Sequence, residues 1–215
     1  MTLQTMLSTM SIGMLRTCGI FALTLIGSLP LGMVVALLKK SRFAVVRGII
    51  NVYISVIRGT PLMLQLLVWY FGPFYLFGAN IGGWRFPALI LGFVVNYAAY
   101  FAEIYRGGIE SIPVGQYEAA QVLGYSKVQT FMRIVLPQVV KRIMPSVTNE
   151  VITLVKDTSL AFTLAYQEVF SLAKQISASQ TSFMPFLIAG IFYFVANYVV
   201  EFAMGRIEKA LDYYR

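Results

Sequence analysis

Apolar positions gather along this chain into long runs broken by short polar stretches, at about 12–38, 62–77, 86–105, 139–162 and 183–204. A membrane-crossing helix needs roughly 20 mostly apolar residues to cover about 30 Å of hydrocarbon. The pattern therefore predicts an all-α polytopic membrane protein with about five spans, folded as a single domain over residues 1–215. The second run is short and borrows from the apolar segment 49–57 before it. Between the two, Arg58, Gly59 and Pro61 would break or kink a helix.

Composition sharpens the class. Hydrophobic residues make up 58% of the chain and charged ones 12%, with a mean hydropathy of +0.73, whereas soluble domains carry about 25% charged residues. Arg16 inside the first run, and the lack of a basic stretch ahead of a short apolar core, argue against a cleaved signal peptide. Cys18 is the single cysteine, so it is expected to be a small packed hydrophobe without a disulfide or redox partner.

Charge sets the expected orientation. If the spans alternate, three segments share one side and hold twelve of the 17 basic residues: Lys39, Lys40, Arg42 and Arg47; Arg106, Lys127, Arg133, Lys141 and Arg142; and Arg206, Lys209 and Arg215. The opposite loops hold Arg85 and Lys174. The excess of Lys and Arg on cytoplasmic loops then predicts an outside N-terminus and a cytoplasmic C-terminus. The same placement accounts for the net charge of +8 and excludes a nucleic-acid partner, because the basic residues flank spans instead of forming a stripe with interleaved aromatics.

The longest polar break, about 106–138, has local structure written into it. Pro113 at a helix start costs nothing, since that N–H has no intrahelical partner. Gly124 about three turns later is the residue type that most readily takes a left-handed cap. Ser126 with Gln129 three residues on forms a capping box, and the second helix is expected to stop at Leu136 before Pro137. On the first helix Gln116, Ala119, Ala120 and Leu123 share a face, with alanines small enough to admit another surface. A lipid-resting amphipathic helix would instead want Lys or Arg along its edge and large apolar residues beneath.

Glu118-Ala119-Ala120, three residues, Gly124, nine residues, then Ile134-Val135-Leu136-Pro137 resembles the EAA loop of permease subunits of bacterial ATP-binding-cassette importers. Four further stretches are similar to the polar amino acid branch of those importers: Arg58-Gly59-Thr60-Pro61 with Gln65, Ala102-Glu103 with Arg106-Gly107-Gly108-Ile109, Ile112-Pro113 with Gly115-Gln116, and Lys156 with Thr158-Ser159-Leu160. Tyr97-Ala98-Ala99-Tyr100 departs from the smaller residues often found after the preceding asparagine. The resemblance implies a fold like type I importer permeases and a coupling helix that docks into a cleft of a cytoplasmic ATPase dimer. It carries Pro113, Gly115, Gln116, Glu118, Ala119, Ala120 and Gly124 over as coupling residues. It also implies ATP and Mg on the ATPase and none on this chain, an extracellular or periplasmic binding protein, and a second copy or sister permease around the pathway. The expected location is the bacterial cytoplasmic membrane.

The residues themselves agree with a gated pore. No G-x-x-x-x-G-K-[ST] phosphate loop occurs, and no histidine or paired-carboxylate arrangement suggests catalysis or a metal site. Polar groups within spans are costly when unpaired and so mark candidate sites. Asn96, Tyr100, Glu103 and Gly107 recur along one helical face, as do Asn149, Glu150, Thr153 and Asp157. Asn96, Tyr100, Glu150, Asp157 and Thr158 are candidate contacts for a zwitterionic amino acid, against interhelical packing as the alternative. For Thr60 and Gln65, helix breaking and interhelical bonding come first and pathway lining second. Two other functions are weighed: a passive channel or ion-gradient transporter, needing no ATPase, and an intramembrane enzyme, converting substrate alone.

Overall fold

A computed structural model describes residues 2–211; Arg215, counted above among the cytoplasmic charges, lies outside them. All the regular secondary structure among the described residues is helical. Helix α1 (Leu3–Lys39) starts nine residues before the predicted run, capped by the Thr2 side chain, which accepts from the Thr5 N–H. At ~1.5 Å per residue its length is about 55 Å, well beyond the hydrocarbon thickness. In the polar opening Ser8, Thr9 and Ser11 donate their hydroxyls back to carbonyls three or four residues earlier, which satisfies these groups within the helix.

Helices α2 (Ala44–Gly59) and α3 (Leu62–Phe77) meet at 113° across Thr60 and Pro61, the break expected from the sequence. Helix α4 (Arg85–Glu110) is the central element, with Phe93, Tyr97, Phe101 and Ala102 almost fully buried. α1 crosses α4 closely because small residues line the contact: a side chain at Gly32 would come within 2.8 Å of Phe101 Cβ and 3.1 Å of the Ala98 carbonyl.

Helix α5 (Val114–Val122) and helix α6 (Lys127–Thr130) form the polar hairpin. From there the chain departs from the expected stop at Pro137. A π segment, Phe131–Val135, carries it without interruption into helix α7 (Leu136–Asp157), with Pro137 in the first turn. The physical reason is local. Pro137 supplies no N–H and its ring would crowd the carbonyl four residues back. The wider turn, in which the Leu136 N–H donates to the Phe131 carbonyl, relieves that conflict and lets the helix continue.

A 3-10 turn, Thr158–Leu164, ends this arm, and helix α8 (Val169–Gln180) follows before helix α9 (Met184–Ala210). Glu168 caps α8 with 2.6 Å contacts from the N–H groups of Phe170 and Ser171, and takes a third bond from Tyr193 of α9. Among the described residues three helices are long and apolar enough to cross a membrane, α1, α4 and α9, with α2 and α3 a fourth if the bent pair is one span. α7, which carries most of the predicted run 139–162, fails that test on composition despite its 22 residues.

Candidate functional site

Two adjoining cavities lie where the α2–α3 break, α4 and α7 come together. One, of about 600 Å³, is bordered by Arg58, Tyr100, Glu103, Arg106, Arg142 and Glu150. The other, of about 380 Å³, is bordered by Thr60, Asn96, Tyr97, Tyr100, Glu150, Thr153 and Asp157. Tyr100 and Glu150 stand on both walls, so the polar faces of α4 and α7 look toward each other across one route.

The broken helix owes its shape to Gln65. A chain that bends at Thr60-Pro61 frees backbone carbonyls that must find partners inside the membrane. The Gln65 Nε2 lies 2.8 Å from the Ile57 carbonyl, 3.0 Å from the Thr60 carbonyl and 2.8 Å from the Thr60 hydroxyl. Its Oε1 accepts from Asn96 Nδ2 at 2.9 Å, tying the break to α4. Asn96 thus serves both the wall and the brace, whereas Gln65 is buried and borders neither cavity.

Of the other predicted pathway residues, Thr60, Asn96, Tyr100, Glu150 and Asp157 meet at the cavities. Thr158 does not. It is fully buried and donates its hydroxyl to the Val155 carbonyl at 2.6 Å, because the chain tightens into the 3-10 turn at that residue. Asn149 sits on the exposed side of α7. Tyr97 was not among the expected site residues, yet its buried hydroxyl donates to Asp157 Oδ2 at 2.7 Å and orients that carboxylate. At the wider end Glu103 gathers Lys39, Arg106 at 2.8 Å and, more distantly, Arg58 at 3.8 Å. Among the described residues no group of three or more His, Cys, Asp or Glu side chains could hold a metal.

The α5–α6 hairpin hangs below this route. Pro113 precedes the helix in extended conformation, one position earlier than a first-turn proline, and Gly124 takes φ +79°. The Tyr125 N–H closes onto the Ala120 carbonyl at 3.0 Å, and the Ser126–Gln129 box is formed in both directions. Gly115, Gln116, Glu118 and Ala119 are exposed. Ala120 is not: at 1% exposure it faces inward, where α5 turns back over α6 and the π segment. The expected shared face of Gln116, Ala119, Ala120 and Leu123 is thereby corrected. The outward apolar surface consists instead of Val114, Val122, Leu123, Val128 and Met132, each more than half exposed. Arg142 of α7 donates to the Ser111 carbonyl and hydroxyl just before α5, so the hairpin's root is fastened to the helix that carries Glu150 and Asp157.

Comparison with known proteins agrees with this architecture. The chain is 34% identical over 205 residues to the L-cystine transport system permease protein TcyB of Bacillus subtilis, covering 94% of this chain and 86% of that one. It is 37% identical over 200 residues to the arginine transport system permease protein ArtQ of the same organism, covering 93% and 90%. A crystal structure of an amino acid ABC transporter with histidines superposes with a TM-score of 0.88 at 29% identity, covering 98% of this chain and 99% of that one. Residues 28–213 match the family described as binding-protein-dependent transport system inner membrane component, and with the bent α2–α3 pair, the facing polar helices and the EAA hairpin in place, the chain belongs to that family of membrane-embedded transport permeases.

Proposed function

We propose that the chain is the permease subunit through which an ATP-binding-cassette importer moves polar amino acids into a bacterial cell. The observation that carries this is the likeness, over nearly the whole chain, to permeases named for L-cystine and arginine. In this reading a second copy or a sister permease completes the pathway, and a binding protein delivers substrate at the outer face, with the N-terminus outside and the C-terminus cytoplasmic. ATP and Mg act on a separate ATPase dimer.

The coupling surface is the α5–α6 tip. Glu118 and the exposed valines and leucine around it suit a protein cleft, since apolar residues at a cytoplasmic tip need a partner to cover them. ATP-driven closure of the ATPases would push this tip, and Arg142 would pass the movement from Ser111 to α7. That closure would tilt the spans from inward-facing to outward-facing, where Asn96, Glu150 and Asp157 would receive the substrate ammonium group from the binding protein.

The test is uptake of labelled amino acids into proteoliposomes that hold this chain with its ATPase, its binding protein and, where one exists, the sister permease. Uptake of one group of polar amino acids that ceases without ATP supports the assignment. Gradient-driven uptake indifferent to ATP replaces it with a secondary transporter.

A further inference from the structure

An α-amino acid presents an ammonium group and a carboxylate on the same carbon, so a site for it needs a cation or a set of N–H donors beside its own carboxylates. The cavity walls supply acceptors in plenty, from Asn96, Glu150 and Asp157. Against these alone a substrate carboxylate would meet like charge in a poorly solvated space. Most of the nearby cations are already committed. Lys39 and Arg106 both close on Glu103, and Arg142 is spent on Ser111. Lys156 is exposed and borders neither cavity.

Arg58 is different. It ends α2 at the helix break and shares the larger cavity with Glu150. Its nearest carboxylate oxygen, on Glu103, is 3.8 Å away, outside hydrogen-bond reach, and among the described residues its guanidinium donates no hydrogen bond. It lies over the Tyr100 ring at 5.3 Å, a contact that holds the planar group without using its N–H donors. Its side chain is 44% exposed.

We propose that Arg58 receives the α-carboxylate of the transported amino acid, while Glu150 faces the ammonium end. This rests on the amino acid import reading and adds to it the residue that separates amino acids from plain amines. A guanidinium matches a carboxylate with two parallel N–H···O bonds, and the Tyr100 ring that Arg58 lies over borders both cavities.

The experiment measures equilibrium binding to the assembled permease–ATPase complex in detergent, without the binding protein, using L-arginine, L-glutamine and the α-amide of each. The wild-type complex should bind at least one acid about tenfold or more tightly than its amide, as expected where a charged donor meets the lost group. Arg58→Met should bring that ratio close to one by weakening the acid and sparing the amide, and Arg58→Lys should keep part of it. Arg58→Met binding with the wild-type ratio overturns the proposal and moves the carboxylate to the amino end of α3. Should Arg58→Met fail to assemble, an Arg58→Lys complex that keeps the full ratio overturns it equally, because a point charge cannot replace the fork. A wild-type complex that binds neither these compounds nor any other member of a panel of polar L-amino acids defeats the import reading itself, and the inference with it.

Discussion

Replacing Gln65 by methionine keeps the length of the side chain and removes all the bonds that brace the α2–α3 break. Two donated bonds reach the Ile57 and Thr60 oxygens and one accepted bond comes from Asn96. Interhelical bonds in membrane proteins average about 0.6 kcal/mol and reach about 1.7. Three such bonds, together with an Asn96 amide left unpaired at 4% exposure, give a loss of about 2–4 kcal/mol. Chemical denaturation of the purified permease in mixed micelles reads this directly. A cycle with Asn96→Leu isolates the shared bond, for which a coupling of about 1 kcal/mol is expected. A loss below about 0.5 kcal/mol for Gln65→Met would refute the bracing role. So would unchanged stability with lost substrate binding, which would make Gln65 a substrate contact.

Four shorter predictions accompany it. Glu118→Lys should leave the fold and thermal stability unchanged and abolish ATP-dependent uptake, as read by melting and transport on one preparation. Gly124→Ala should cost about 1–2 kcal/mol from the left-handed backbone and weaken coupling, checked by ATPase stimulation. Gly32→Val should be destabilising by about 1–3 kcal/mol, because the added groups meet the α4 backbone at Ala98, seen as a lower melting temperature. Tyr97→Phe should leave assembly intact and weaken substrate binding by freeing the Asp157 carboxylate, measured by titration on the complex.

The turns of the α5–α6 hairpin are legible because the residues that shape them act locally. Pro113, Gly124, Ser126 and Gln129 act on backbone within four residues; Gly124, Ser126 and Gln129 behave as their types predict, and Pro113 starts the helix from one position further out. Pro137 misled for the opposite reason. A proline reads as a stop unless the turn before it can widen, and the widening at Phe131–Val135 has no marker in residue types. Ala120 was assigned to the outer face by spacing, but the return of the chain over α5 decides which side is outside. Helix α8 could have been found: Val169, Leu172, Ala173 and Ile176 are buried at helical spacing, though Glu is an uncommon cap residue. The Tyr97–Asp157 bond joins residues 60 apart, and no pattern in one sequence pairs them.

Helix α7 shows why hydropathy alone undercounts this architecture. Its 22 residues include Lys141, Arg142, Asn149, Glu150, Lys156 and Asp157, too polar for a helix surrounded by lipid. Yet Val139, Val151, Leu154 and Val155 are buried against neighbouring helices, while Glu150, Thr153 and Asp157 border the cavity. A helix with apolar packing on one side and water on the other need not be greasy throughout, since charged groups at membrane depth are tolerated where they line a polar space. The property that hides α7 from a hydropathy scan is therefore the property that lets it serve as a wall of the cavities. Its first turn continues the α5–α6 hairpin through the π segment, so the least hydrophobic of the long helices is also the one that joins the α5–α6 tip to Glu150 and Asp157.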